Sequence, residues 1–327
     1  MIRFFKSPQP AALFIIPFFV MLLWGRGVFG IDIWQGSSEN HLWNLLIGVF
    51  HSLPSWLNTL IMASMISFQA IYFNLVLNKH EVLYRNSYLP SLFFVLCISS
   101  FSEFIQVHPA HFVNLIMIRV FDKCFSMFKN EKAMSEIFDC GFLISIAVLL
   151  YFPAVLFVLV PMSAIVVLRA FNMREYIVLI TGLALPFFFV SVAMFWGGNH
   201  IAFWNSLISG FRNPNYSLEL NLDNATKAVI YMFAVMLLLS LIRIRKNYYK
   251  NAIRTRSYQQ IIFFYLLLAI TTFVFVKGMV IAHLPVLSIP AGVLLAYFFL
   301  TSKKRPMLTE VLFWTMCAII AWSNFSV

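Results

Sequence analysis

Residues 234–270 read AVMLLLSLIRIRKNYYKNAIRTRSYQQIIFFYLLLAI, in which a strongly basic run separates two apolar stretches. A helix needs about 20 mostly apolar residues to cross a bilayer, and each stretch reaches that length with its flanks. Positive residues collect in the short loops on the cytoplasmic side of membrane proteins. The segment therefore predicts two membrane-spanning helices that are joined on the cytoplasmic side.

The same alternation of apolar runs and basic clusters recurs along the whole chain. Of its 327 residues, 61% are hydrophobic and 11% are charged, whereas soluble domains carry about 25% charged residues. A net charge of +11 would indicate a nucleic-acid binder in a soluble protein. Because the positive-inside rule explains that charge here, we expect a lipid bilayer as the partner and no nucleic acid.

The apolar runs predict an all-α, polytopic membrane protein with about eleven transmembrane helices in a single membrane domain, residues 1–327. The predicted helices cover about 11–30, 57–77, 87–104, 110–128, 137–152, 154–168, 176–196, 227–242, 259–276, 284–300 and 308–325. The alternative for the fifth and sixth is one long helix over 141–168, broken at Pro153.

The basic clusters predict the orientation. Eighteen of the 23 Lys and Arg residues fall in six clusters that this threading places on one side. The clusters are Arg3/Lys6, Lys79/Arg85, Lys123/Lys129/Lys132, Arg169/Arg174, Arg243 to Arg256, and Lys303 to Arg305. The N-terminus is thus predicted inside and the C-terminus outside. Merging the fifth and sixth helices would move every later cluster outside, which favours two helices.

The two long connections, residues 31–56 and 197–226, both lie outside in this threading. Within the first, segment 41–53 has its polar residues on one side at helical spacing and apolar residues elsewhere, and segment 203–211 repeats the pattern. Such segments are typical of helices that lie in the membrane surface. A simple interfacial anchor is the alternative, because Trp favours that depth in any protein.

Matching anchors suggest an internal parallel duplication of residues 1–169 and 170–327. The matched pairs are Trp43-Asn44 with Trp204-Asn205, Ser87-Tyr88 with Ser257-Tyr258, His108-Pro109 with His283-Leu284-Pro285, and Glu136 with Glu310. Parallel repeats are found in transporters, which bind substrate where the repeats meet. Apolar sequences built from few residue types also match by chance, so the duplication has a trivial alternative.

Acids and histidines at the predicted outer face are candidates for chemistry. Asp32 follows the first helix, where a carboxylate can act as general base towards a hydroxyl; an ordinary solvated loop acid is the alternative. Glu103, His108 and His111 lie around the next outer turn. They could hold a phosphate with protonated histidines, or a divalent cation together with Asp32. Their spacing matches no established metal motif, and no metal site is predicted.

Five cations lie outside the six clusters. Arg119 lies near the middle of the fourth helix, where a charge is costly and usually faces a cavity or a partner. An ion pair with Asp122, three residues on, and snorkelling of Arg119 to the membrane surface are the alternatives. Lys227 is typical of a helix-end anchor. The remaining candidates for an anionic lipid-linked phosphate near the outer face are Arg26, Arg212, Lys277 and His283.

This layout resembles the GT-C superfamily of integral-membrane glycosyltransferases. In that family the N-terminus is cytoplasmic, an essential acid follows the first transmembrane helix, and the first outer loop carries membrane-parallel helices. Asp32 stands at the place of the acid, and 41–53 at that of the surface helix, within a resemblance that covers about residues 1–230. The resemblance implies a transferase that uses a polyprenyl-phosphate-linked sugar. The chain departs from it in having one acid where the family often has two, and in lacking the soluble C-terminal domain.

Two other function classes stay open. One is a transporter or lipid flippase built from parallel repeats, with Arg119 in its central cavity. The other is a non-catalytic subunit of a membrane complex. The chain is also similar to uncharacterised polytopic membrane proteins of Bacteroidota, through its opening stretch Phe5-Lys6-Ser7-Pro8-Gln9-Pro10.

Overall fold

A computed structural model describes residues 1–7, 10–35, 41–130, 132–212, 223–272, 281–302 and 306–325. Within these residues the chain is all-α, apart from one pair of two-residue strands. The first helices are α1 (Ile2–Lys6), α2 (Ala11–Trp24), α3 (His41–Ser52), α4 (Ser55–Lys79), α5 (Leu89–Ile98), α6 (Pro109–Ser126) and α7 (Met134–Leu150). The others are α8 (Leu159–Leu168), α9 (Met173–Trp196), α10 (His200–Arg212), α11 (Asn224–Asn247), α12 (Ile253–Thr271), α13 (Ser288–Thr301) and α14 (Pro306–Phe325).

Short 3-10 helices extend several of these elements. They are Gly25–Val28 after α2, Ser102–Phe104 after α5, Phe152–Val158 before α8, Tyr248–Lys250 after α11 and Ile281–Leu287 before α13. The strands β1 (Asp32–Ile33) and β2 (Gln106–Val107) pair in parallel.

The protein is a multi-pass helical membrane protein. Six segments of the described chain are long and apolar enough to cross a bilayer: Ala11–Val28, Ser55–Lys79, Met173–Trp196, Asn224–Lys250, His283–Thr301 and Met307–Asn324. Large apolar side chains such as Phe14, Phe188, Leu238 and Trp314 are exposed on them, which suits contact with lipid. The count of eleven crossings and the N-in, C-out orientation stay predictions.

Polar and aromatic contacts join the helix ends into two groups. The β end contains the strands, and its contacts join Trp24 to Ser99, Gly27 to Thr59, His108 to Tyr151, and Ser99 to Asn324. The opposite end, here the basic end, joins Phe5 to Tyr88, His80 to Asp122, Phe125 to Tyr258, and Arg243 to Thr301. Among the helices that these contacts join, α4 runs from the β end to the basic end, α5 runs back, and α6 runs again to the basic end.

The division of residues 141–168 into two helices is confirmed, although the chain breaks before Pro153 and not at it. Helix α7 ends at Leu150, and the backbone of Tyr151 is extended, with φ −150° and ψ 104°. Residues 152–158 then form a 3-10 helix that continues into α8. Because a 3-10 helix rises about 2.0 Å per residue, these two elements together span about 29 Å.

The predicted third helix, residues 87–104, is wrong in its extent. Helix α5 ends at Ile98, where the Ser100 hydroxyl donates to the carbonyls of Leu96 and Cys97 at 2.6 and 2.9 Å. Such side-chain bonds to the backbone compete with continuation of the helix. All ten residues of α5 are buried, so this short helix lies inside the bundle.

Both segments predicted to lie in the membrane surface are helical. Helix α3 buries Trp43 and Phe50 and exposes Leu45 and Val49. Helix α10 buries Phe203 and exposes Trp204 and Ile208. The two helices meet where His41 Nε2 lies 2.8 Å from Ser206 Oγ. Exposed apolar residues beside buried ones suit a helix half-sunk in headgroups, and the membrane-parallel placement stays a prediction.

The internal duplication also stays a prediction. One pair of anchors differs in its surroundings, because Ser87 and Tyr88 precede helix α5, whereas Ser257 and Tyr258 lie inside helix α12. Each half does contain one of the two helices predicted to lie in the membrane surface, α3 in the first half and α10 in the second.

Candidate functional site

The strand pair holds Asp32 at the β end. Asp32 is opposite Gln106 and Ile33 is opposite Val107, and the Trp34 N–H donates to the Val107 carbonyl at 3.1 Å. Because side chains alternate along a strand, Ile31 is buried while Asp32 is exposed. No side chain in the described part of the chain bonds the Asp32 carboxylate. The fold therefore fixes this backbone and leaves its carboxylate open to solvent.

A buried aromatic layer lies behind the strands. The ring centroid of Trp34 is 4.9 Å from that of His108, which is 5.3 Å from that of Tyr151. The Trp43 indole N–H donates to the Trp34 carbonyl at 3.0 Å and so ties surface helix α3 to the end of β1. Ring pairs at these separations add stability beyond the area that they bury. This layer packs the ends of both strands against the core, next in sequence to Asp32.

His108 is a neutral helix cap. Its Nδ1 accepts a hydrogen bond from the Ala110 N–H at 3.1 Å at the start of α6, so Nδ1 carries no proton. Burial lowers the pKa of His108, and His111 and His283 lower it further. A neutral imidazole cannot hold a phosphate by its charge. The role of His108 as a substrate-binding residue stays a prediction, without the positive charge that was expected of it.

His111 and His283 are also buried and hydrogen-bonded. Nε2 of His111 lies 3.0 Å from the carbonyl oxygen of Phe104 and therefore donates to it. Nδ1 of His283 lies 3.0 Å from the Tyr151 hydroxyl. These contacts join the α5–α6 turn and the 3-10 helix before α13 to the core, and they give both histidines a structural role. Across the described residues, no three His, Cys, Asp or Glu side chains group as metal ligands.

Arg26 lines a cavity at the β end. It lies in the 3-10 helix after α2 and donates from Nη1 to the Asn324 carbonyl at 2.7 Å. The cavity has a volume of about 430 Å³, and its other walls include Leu22, Phe29 and Ile105. Ile105 directly precedes Gln106, the β2 residue that pairs with Asp32, so one wall of the cavity is next in sequence to the strand pair.

The remaining residues predicted at the outer face are Glu103, Arg212 and Lys277. Glu103 is partly buried in the 3-10 turn Ser102–Phe104. Arg212 is the last residue of α10, and its side chain lies outside the described residues, as does Lys277 altogether. Their roles as substrate-binding residues stay predictions.

Arg119 lies away from this site, towards the basic end. Its guanidinium donates to Asp122 at 2.7 Å and to the Tyr72 hydroxyl at 3.1 Å. Asp122 also accepts from Lys79 and from His80, each at 2.8 Å. The side chain of Arg119 is 47% exposed and that of Asp122 only 6%. The alternative of an Arg119–Asp122 ion pair is confirmed, and a substrate role of Arg119 in a central cavity stays a prediction.

Comparison with known proteins places the chain in a family whose function is unknown. Residues 41–326 match the model of a family described as a family of unknown function, DUF6427. No curated protein and no solved structure matches the chain.

Proposed function

We propose that the chain, which belongs to the DUF6427 family of unknown function, is a transferase that uses a polyprenyl-phosphate-linked sugar at the outer face of the bacterial inner membrane. One observation carries the proposal. Asp32 is exposed on a strand whose backbone is fixed by pairing with Gln106, and Ile105, the residue before Gln106, lines a cavity together with Arg26.

The orientation follows from the basic end. Lys79, Lys123, Arg169, Arg243 and Arg245 all lie at or near that end, and positive residues are retained on the cytoplasmic side. The β end then faces outward. Surface helices α3 and α10 lie there and expose apolar side chains, which would hold them at the level of lipid headgroups. A membrane-embedded carrier lipid would present its phosphate at the same level.

In the proposed reaction, Asp32 accepts the proton of the acceptor hydroxyl. The hydroxyl oxygen then bonds to the anomeric carbon of the sugar, and the bond between that carbon and the phosphate oxygen breaks. The electron pair of that bond leaves with the polyprenyl phosphate. General-base catalysis of this kind contributes about 100- to 10,000-fold in rate, so the position of the carboxylate matters greatly.

Within the described residues, Arg26 is a predicted outer-face cation that lines a cavity, and in this proposal it holds the departing phosphate. Arginine has a planar fork of donors that matches phosphate oxygens, and the neighbouring walls Leu22 and Phe29 are apolar. A cavity that combines one guanidinium with apolar walls suits the junction between a phosphate and a lipid chain. Stabilising the charge that develops on a leaving group is usually the largest catalytic contribution.

Mass spectrometry of membrane lipids from a deletion strain tests this function. The proposal predicts that a sugar-linked polyprenyl-phosphate carrier accumulates when the protein is absent. An unchanged lipid profile would contradict it and would favour a non-catalytic subunit of a membrane complex.

A further inference from the structure

A second concave surface lies at the basic end, between the last turns of helix α11 and the first half of helix α12. This α11–α12 groove has a volume of about 820 Å³, and its apolar part includes Leu241, Phe263, Phe264 and Leu294. Phe263 and Phe264 are 40% and 43% exposed. The groove therefore opens sideways, towards the surrounding lipid, and continues inward as far as α13.

The groove is polar at one end only. Helix α11 ends at the basic end and α12 begins there, so Arg245, Tyr248 and Gln259 lie nearest to that end of the groove. Phe263 is four residues further along α12, about 6 Å deeper into the bundle. The Arg245 guanidinium and the Gln259 amide thus lie towards the mouth of the groove, and the Phe263 ring lies deeper. That order is the order of groups in a phospholipid, with its headgroup above its acyl chain.

Gln259 carries a buried donor that lacks an acceptor. The residue is only 7% exposed. Its Oε1 accepts from Asn251 Nδ2 at 3.3 Å, which leaves Nε2 as the second polar atom of this amide. Among the described residues, Nε2 has no hydrogen-bond partner. Buried polar groups are nearly always paired in folded proteins, and Gln259 is one of the residues that line the groove. An acceptor atom inside the groove would satisfy it.

Side-chain contacts hold the residues at the rim of the groove in place. Gln260 donates to the Tyr248 hydroxyl at 2.8 Å, and the Arg256 guanidinium lies 5.5 Å from the centre of the Tyr248 ring. These contacts hold Tyr248 at the mouth. Arg245 is exposed beside it, and no acid in the described part of the chain forms an ion pair with it. The mouth therefore has positive charge to offer to an anion.

We propose that the α11–α12 groove binds one anionic glycerophospholipid of the surrounding bilayer. Its phosphate lies against Arg245 and accepts from Gln259 Nε2, and one acyl chain lies along Phe263 and Phe264. Charge complementarity at the mouth and the unpaired buried donor select this occupant. The site lies at the opposite end from Asp32, so it does not depend on the proposed transferase activity.

Native mass spectrometry of the purified full-length protein, titrated with phosphatidylglycerol in a neutral detergent, tests the site. The protein should retain one phosphatidylglycerol, and phosphatidylethanolamine should bind more weakly because its own ammonium group opposes Arg245. Arg245→Gln should weaken binding of phosphatidylglycerol by roughly tenfold, since a charge-assisted hydrogen bond is lost. Lys246→Gln, which removes an equal charge from the next residue but does not line the groove, should change binding by less than about twofold.

A second variant separates binding from folding. Gln259→Glu keeps the shape and the acceptor that faces Asn251, but it replaces the donor by a carboxylate that repels phosphate. Loss of phosphatidylglycerol binding with an unchanged gel-filtration profile is expected. Equal losses in Arg245→Gln and Lys246→Gln would reveal general charge attraction and overturn the proposal. Wild-type binding by Arg245→Gln, or displacement of the lipid by excess inorganic phosphate, would overturn it too.

Discussion

Gly141 of helix α7 and Gly182 of helix α9 allow these two helices to cross in direct backbone contact. A Cβ atom added to Gly141 would lie 2.3 Å from the Leu179 carbonyl oxygen. One added to Gly182 would lie 2.3 Å from the Phe138 carbonyl oxygen. Small residues permit such close crossings between membrane helices. Only 17% of an apolar 18-residue window of helix α9 is buried, so this contact does much to hold the helix on the bundle.

We therefore expect Gly141→Ala and Gly182→Ala each to destabilise the protein by about 1–3 kcal/mol, because the backbone oxygens cannot move aside as a side chain can. The melting temperature of the purified protein in detergent measures the change. Gly48→Ala is the matched control, since no atom lies within 4 Å of its added Cβ. It should leave the melting temperature unchanged or raise it. Equal stability of all three variants would rule out the close crossing.

Loss of the Asp122 carboxylate should destabilise the protein more than loss of the Arg119 guanidinium that pairs with it. Asp122 is buried and accepts from Lys79, His80 and Arg119, so Asp122→Asn should cost about 1.5–3 kcal/mol. Arg119→Gln should cost about 1 kcal/mol or less, because its side chain is 47% exposed. Melting temperatures of the two variants give this ranking. The reverse ranking would contradict this account, because it would show that the exposed Arg119 contributes more to stability than the buried carboxylate that it pairs with.

Stability should fall in acid because of His108. The pKa of this buried imidazole is lowered, so below its usual value of about 6.5 the unfolded chain binds a proton that the folded chain does not. The free energy of unfolding should therefore fall by up to about 1.4 kcal/mol per pH unit on this residue's account. His108→Asn keeps a capping side chain and should flatten the dependence of melting temperature on pH. The exposed His51 serves as control, and an equal flattening by His51→Asn would contradict the assignment.

The helices were predictable from the sequence because their signal is local. Apolar runs separated by charges appear in any short window, and Pro153 with its neighbours marks the break that separates α7 from α8. The end of α5 was missed because two serines, Ser99 and Ser100, change the backbone inside an otherwise apolar run. Length and apolar composition alone do not register that change.

The candidate site was predictable only in part. Asp32 and Arg26 stand out as an acid and a cation in unusual places. The pairing of Asp32 with Gln106 joins residues 74 positions apart through two-residue strands, which leave no periodic pattern. The contacts of Lys79 and His80 with Asp122 come from another helix. Such contacts depend on packing, and a single sequence does not reveal which helices are neighbours.

The central claim is that Asp32 performs the chemistry, and complementation of a deletion strain tests it most directly. Asp32→Asn keeps the shape of the side chain and removes the base. Asp223→Asn makes the same change at an exposed acid that precedes helix α11. We predict that the wild type and Asp223→Asn clear the accumulated sugar-linked carrier lipid, measured by mass spectrometry, while Asp32→Asn does not. Full clearance by Asp32→Asn, at an equal level of protein in the membrane, would contradict the account.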